Sequence, residues 1–275
     1  MTPPNLSSLP QHLDATRFLL AGWCIISTLE WVANRALFAN EEILSGEVMV
    51  LRMGRLFQKP VAGLLFGKRS IDVVLGLRIC AATLLAAWSN LTVTAVCLFT
   101  IALASWFITI RTGIGGDGSD QMGYIASIGT LIATVGVLRN DSLVVFAGIL
   151  LVAGQTTLSY FVAGFAKLIS PTWRNGIALC DLLNTYSHGH STVEAMLIRP
   201  RLSLGLCWMV ILAETLFPLV LILPPHALYV ALGASIAFHF MTAYFMGLNT
   251  FVWAFIATYP AVIYLSVFVR RAIGL

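Results

Sequence analysis

A chain of 275 residues with 59% hydrophobic and only 10% charged positions lacks the polar surface of a water-soluble domain, where about a quarter of residues are charged. Its net charge of +4 is too small to mark a nucleic-acid partner. The five cysteines, Cys24, Cys80, Cys97, Cys180 and Cys207, are scattered and form no Cys-x-x-Cys, which argues against a disulfide framework or a zinc site. The apolar runs are continuous rather than alternating, so the chain reads as an all-α, polytopic integral membrane helix bundle and not a β-barrel.

The first 18 residues carry no basic region ahead of their apolar run, so the first segment is predicted to be retained rather than cleaved. About eight membrane segments are predicted, near 17–38, 72–89, 91–111, 123–138, 143–169, 202–223, 227–247 and 249–269, within a single membrane domain spanning 1–275. The fourth, at 16 residues, is short for a hydrocarbon core of about 30 Å. Ser89-Asn90, Arg139-Asn140-Asp141 and Pro224-Pro225 supply tight turns, and Pro218 and Pro260 should interrupt the apolar runs that contain them.

With eight crossings, the longer polar connections at 39–71, 112–122 and 170–201 fall on one face and the short turns on the other. One face is thus built for work, the other for closure. Residues 43–66 include a stretch able to lie in the interface with its arginines snorkelling. Arg52, Arg55, Lys59, Lys68, Arg69, Arg111, Arg174, Arg199 and Arg201 load the elaborate face, and the positive-inside rule places it in the cytoplasm.

Ionisable groups inside a span are expensive and therefore candidates for function. They are Glu30, Arg35, Arg78, Lys167, Glu214 and His239. The alternative for each is packing, with Glu30–Arg78 and Lys167–Glu214 as buried pairs. Four glycines within 113–118 precede Ser119, Asp120 and Gln121, which reads as a tight loop displaying Asp117 and Asp120. Lys167 ends a long apolar helix ahead of Trp173. It either snorkels to the rim or turns inward, where burial favours the neutral amine that can accept a proton. His188, His190 and Glu194 fall short of a metal site, and no metal is predicted. His239 lies in an apolar run and needs a partner within the bundle.

Tyr160, Gly164 and Lys167, followed by Trp173 and Gly176, resemble the lysine-bearing segment of the horizontally transferred transmembrane (HTTM) family, which includes the vitamin K-dependent gamma-carboxylase. Phe238, His239 and Met241 more loosely resemble a later histidine-bearing helix of that family. The stretch Gly116 to Gln121 resembles the bacterial SdpB-like branch, which helps mature a secreted sporulation-delaying peptide toxin. The resemblance implies a bacterial plasma-membrane protein with Lys167 as base, Asp117, Asp120 and His239 beside it, a quinone as the implied cofactor, and a secreted peptide as the implied substrate. Two departures count against carboxylase chemistry. Ser119 and Asp120 stand where the carboxylase has asparagine and histidine, and the sequence carries no large soluble domain after the membrane segments.

The leading expectation is an enzyme-like factor in the lipid bilayer, acting on a peptide or lipid-soluble substrate, with Asp117 or Asp120 approaching Lys167. The alternative is a non-enzymatic accessory, export or immunity factor that docks a secreted peptide on its basic face. A transporter is disfavoured because no inverted repeat is visible.

Overall fold

The computed structural model describes residues 9–39, 42–53, 66–112, 116–183 and 200–275, and every regular element among them is a helix. In chain order these are α1 (Leu9–Ala33), α2 (Gly46–Met53), α3 (Lys68–Ala87), α4 (Leu91–Thr112), α5 (Gly118–Leu138), α6 (Ser142–Ile169), the short α7 (Pro171–Arg174) and α8 (Ala178–Leu183), α9 (Pro200–Thr215), α10 (Pro225–Met246), α11 (Asn249–Ile256) and α12 (Tyr259–Ile273). Short 3-10 turns at Arg35–Phe38 and Phe217–Leu221 follow α1 and α9.

Among the described residues, six stretches are long and apolar enough to cross a membrane: Arg69–Ala87, Leu91–Thr112, Gly118–Leu138, Ser142–Ile169, Pro225–Met246 and Asn249–Ile273. The expected count of about eight is not reached by length and composition. α9 has only 16 residues before it breaks, and α1 carries Asp14, Arg17 and Glu30 along its length. α1 nevertheless contributes Leu20, Trp23 and Cys24 to the same buried core as the other helices.

Both prolines, expected to kink their helices, stand instead where α-helix is broken. Pro218 ends regular helix and leaves the Phe217–Leu221 turn. Pro260 occupies the first turn of α12, where a missing N–H costs nothing, so the last apolar run is two helices meeting at Ala257 and Thr258. The 139–141 turn is as tight as predicted. Asn140 takes a positive φ of 55°, and Asp141 accepts from the backbone N–H groups of Leu143 and Val144 to start α6.

The fourth predicted segment needs correction. Helix α5 begins at Gly118, not 123, and its 21 residues suffice for a crossing. The Asp117 carboxylate accepts from the N–H groups of Ser119 and Asp120 and from the Ser119 hydroxyl, so the second half of the supposed loop is a capped first turn. Asp117→Ala should lower stability by about 1 kcal/mol, measurable by thermal unfolding in detergent.

Helices α5 and α6 meet along small residues. A methyl group on Gly148 would press on the Gly129 carbonyl and lie 2.5 Å from the Ala133 nitrogen, and one on Gly136 would lie 2.6 Å from the Val145 nitrogen. Without a hydrophobic driving force in lipid, such backbone proximity is what holds helices together. The hydroxyls on that side of α5 bond inside their own helix: Ser127 to the Gly123 carbonyl, Thr130 to Ala126 and Thr134 to Thr130. They therefore add no unsatisfied group to an apolar interface.

Contacts also sort the helix ends into two faces. On one, Arg111 at the end of α4 donates to the Ser45 carbonyl, and Ser119 at the start of α5 meets Thr250 at the start of α11. On the other, Arg17 donates to the carbonyls of Leu85 and Trp88 at the end of α3, near the mouth lined by Asp14, Asn140 and Asp141.

Candidate functional site

Lys167 lies in the last turn of α6, and the residue that sets its neighbour is Gly164, three positions earlier on the same helical face. With no side chain at Gly164, the end of α9 rests on the α6 backbone. An added methyl would strike the Thr215 nitrogen and sit 2.6 Å from the Thr215 hydroxyl and 2.7 Å from the Glu214 carbonyl carbon. That approach brings the Glu214 carboxylate 2.6 Å from the Lys167 ammonium. The amine also donates to the Ala163 carbonyl at 3.5 Å and lies 5.2 Å from the centre of the Trp173 ring. The two side chains are 21% and 9% exposed, so the pair is largely shielded at the rim of the bundle.

Lys167 is therefore partnered by Glu214, not by either aspartate expected beside it. Asp117 caps α5. Asp120 accepts from the Ser27 hydroxyl at 3.0 Å, and that hydroxyl also accepts from Arg78 at 3.3 Å. Asp120 thus joins a polar cluster formed by α1, α3 and α5. The Glu30–Arg78 pair is likewise not formed: Arg78 turns to Ser27 and lies over the Trp23 ring at 4.9 Å, while Glu30 is half-buried and Arg35 exposed.

His239 is buried on α10. Its Nε2 lies 2.6 Å from the Tyr160 hydroxyl, which in turn lies 2.7 Å from the Tyr259 hydroxyl. The imidazole stacks on Phe255 at 4.5 Å, and the Tyr160 ring stacks on Phe217 at 3.8 Å. Three helices, α6, α10 and α12, thus share one buried polar chain that satisfies groups stranded among apolar side chains.

The Lys167–Glu214 pair and this chain flank a cavity of about 470 Å³ between α9, the Phe217–Leu221 turn and α10. Glu214, Tyr160 and Ser235 are its polar lining, and the remainder is apolar. Sequence reasoning missed this cavity. It arises because Pro218 ends α9 early and because α10 stands away from the bundle: only 17% of its apolar window is buried, against 67% for Asn249–Ile273. Glu214 and Tyr160 reach the cavity, whereas Lys167 and His239 stand behind them. Tyr160 sat within the lysine-bearing motif. Nothing in the sequence singled out Tyr259.

Among the described residues, no group of three or more His, Cys, Asp and Glu side chains is arranged to hold a metal ion, and no disulfide joins any of the five cysteines. His188, His190 and Glu194 lie outside the described residues, as do Arg55, Lys59 and Arg199 and the side chain of Arg52. Leu51 on α2 and Ile43 just before it are 82% and 64% exposed.

Six apolar helical stretches of membrane-crossing length among the described residues, packed around paired and hydrogen-bonded polar groups, point to the class: a helical integral membrane protein. Compared with family models, curated proteins and solved structures, the chain matches none.

Proposed function

We propose that the chain is a bacterial plasma-membrane protein of the HTTM, gamma-carboxylase-like type, an enzyme-like factor that takes an apolar molecule into the cavity between α9 and α10. The observation that carries this reading is the one carboxylate that lines the cavity among the described residues, Glu214, held at 2.6 Å by Lys167. An apolar pocket of a few hundred Å³ with a few convergent polar groups is the usual form of a small-molecule site.

In this reading Glu214 meets the substrate and Lys167 is its proton partner. A proton that passes from the ammonium to the carboxylate neutralises both groups and leaves the net charge of the pair unchanged. A substrate acid placed against Glu214 passes its proton to the carboxylate, and Lys167 holds that carboxylate in place. The Glu214 carboxylate is then the base, and Lys167, its ammonium partner, positions it, a departure from the role of base that the resemblance implies for Lys167. Tyr160, oriented by His239 and Tyr259, borders the same cavity.

A quinone, the cofactor implied by the resemblance, fits a cavity of this size and polarity. Ser235 and Tyr160 would hold its oxygens, and redox chemistry is what it would supply. The peptide-maturing role of the SdpB-like branch is the proposed setting for this chemistry. Asp117 and Asp120 serve the architecture of the same face rather than the reacting centre.

The test is mass spectrometry of apolar molecules co-purifying with the protein from membranes, compared with Ala234→Phe, which fills the cavity from α10. The wild-type protein should carry a stoichiometric apolar ligand that the variant lacks at equal monodispersity. Equal occupancy in the two proteins would remove the cavity from the proposal.

A further inference from the structure

Away from the α9–α10 cavity, the polar cluster around Arg78 contains a feature its protein neighbours leave incomplete. Arg78 is 1% exposed in the middle of α3. One terminal nitrogen donates to Ser27, but its Nε has no acceptor in the protein. A buried guanidinium donor without a partner has lost the hydrogen bond it made in water and gained none in return, so the site calls for an acceptor.

The side chain lines a small internal cavity of about 10 Å³ between α3, α4 and α5, shared with Asp120, Ser105, Thr109, Thr112 and Gly116. On this measure a single water needs roughly 10–15 Å³ and two to four polar partners. The Asp120 oxygen not bonded to Ser27 faces Gly116, whose added methyl would lie 2.7 Å from it. It therefore borders the same cavity. Arg78 and Asp120 do not form a direct ion pair; among the described residues those pairs are Arg17–Asp14 and Lys167–Glu214.

We infer that this cavity is a binding site for one water molecule, which accepts from Arg78 Nε and donates to the Asp120 carboxylate. The guanidinium and the carboxylate are then bridged twice, by the Ser27 hydroxyl on one side and by water on the other. Ser105 and Thr109 also line the cavity, and their hydroxyls donate to the Ile101 and Ser105 carbonyls of their own helix. A halide is disfavoured because Asp120 borders the same space and already balances the arginine charge. A larger ligand has no room. The water completes a seam joining α1, α3, α4 and α5 and makes Asp120 a positioning residue for the working face.

The direct test is a structure in lipid nanodiscs or crystals at a resolution that shows ordered water, with a bromide-soaked crystal as a second arm. The expected result is one peak about 2.7–3.2 Å from Arg78 Nε and the Asp120 carboxylate, with no anomalous signal from bromide. An empty cavity with Nε on a protein acceptor overturns the inference, and so does an anomalous bromide peak at that position. Thermal unfolding gives an independent arm. Arg78→Lys removes the Nε donor and Ser105→Val narrows the cavity, so the double variant should lower the melting temperature no further than the worse single change. Additive shifts, or a higher melting temperature for Ser105→Val, would show a dry cavity and overturn it as well.

Discussion

Lys167→Met should lower the stability of the folded protein by about 3 kcal/mol, and adding Glu214→Leu should restore most of that loss. The physical reason is asymmetry. Removing one member of a largely shielded ion pair leaves the other charge without compensation in a low-dielectric environment, whereas removing both leaves apolar groups of similar volume. Glu214 is the more enclosed of the two, 9% exposed against 21%, and it faces an apolar cavity. Losing the lysine should therefore do more damage than losing the glutamate, because a freed lysine can still extend toward the rim beside Trp173. Chemical or thermal unfolding of the four proteins in one detergent gives the coupling directly. The same set separates architecture from chemistry: the double variant should be folded, stable and inactive. If it retains the cellular function, the pair is a packing device and the proposed reacting centre is lost. Lys167→Arg sharpens the comparison, because it keeps the ion pair but not a group that can give up its proton.

The membrane helices were legible because lipid leaves the backbone few alternatives: each crossing must satisfy its own N–H and C=O groups within one helix. The runs around α3, α4, α6 and α10 accordingly appeared to within a few residues. The start of α5 was misjudged because glycines and aspartates suggest a turn, although an aspartate ahead of a helical run is also a capping signal, and Asp117 takes that role. The Lys167–Glu214 pair was visible in outline as two opposite charges in apolar surroundings. Its precedence over Asp117 and Asp120 was not. Counting crossings assigns helix ends to a face but does not say which helices are neighbours there. Here Ser27 on α1 and Arg78 on α3 engage Asp120. The His239 partners were illegible for a related reason. Tyr160 and Tyr259 are 99 residues apart, and a tyrosine in an apolar run carries no pattern that announces a distant hydroxyl.

Gly164→Ala should abolish function while costing about 1–3 kcal/mol of stability, the usual range for overpacking a tight contact. The added methyl meets backbone atoms of α9 at Glu214 and Thr215 as well as the Thr215 hydroxyl, and because backbone cannot swing aside as a side chain can, α9 must shift as a unit. That shift acts on the chemistry, since Glu214 sits at the displaced position and its 2.6 Å contact with Lys167 tolerates little movement before a hydrogen bond becomes a distant ion pair. Gly154 provides the control on the same helix. An added methyl there meets nothing within 4 Å, and alanine is the better helix former, so Gly154→Ala should be neutral or stabilising by up to about 1 kcal/mol. Unfolding midpoints for the two variants, read beside the occupancy of the α9–α10 cavity by mass spectrometry, distinguish the outcomes. If Gly164→Ala behaves like Gly154→Ala in both readouts, α9 does not rest on α6 at this point, and the Lys167–Glu214 contact has no basis in the packing described.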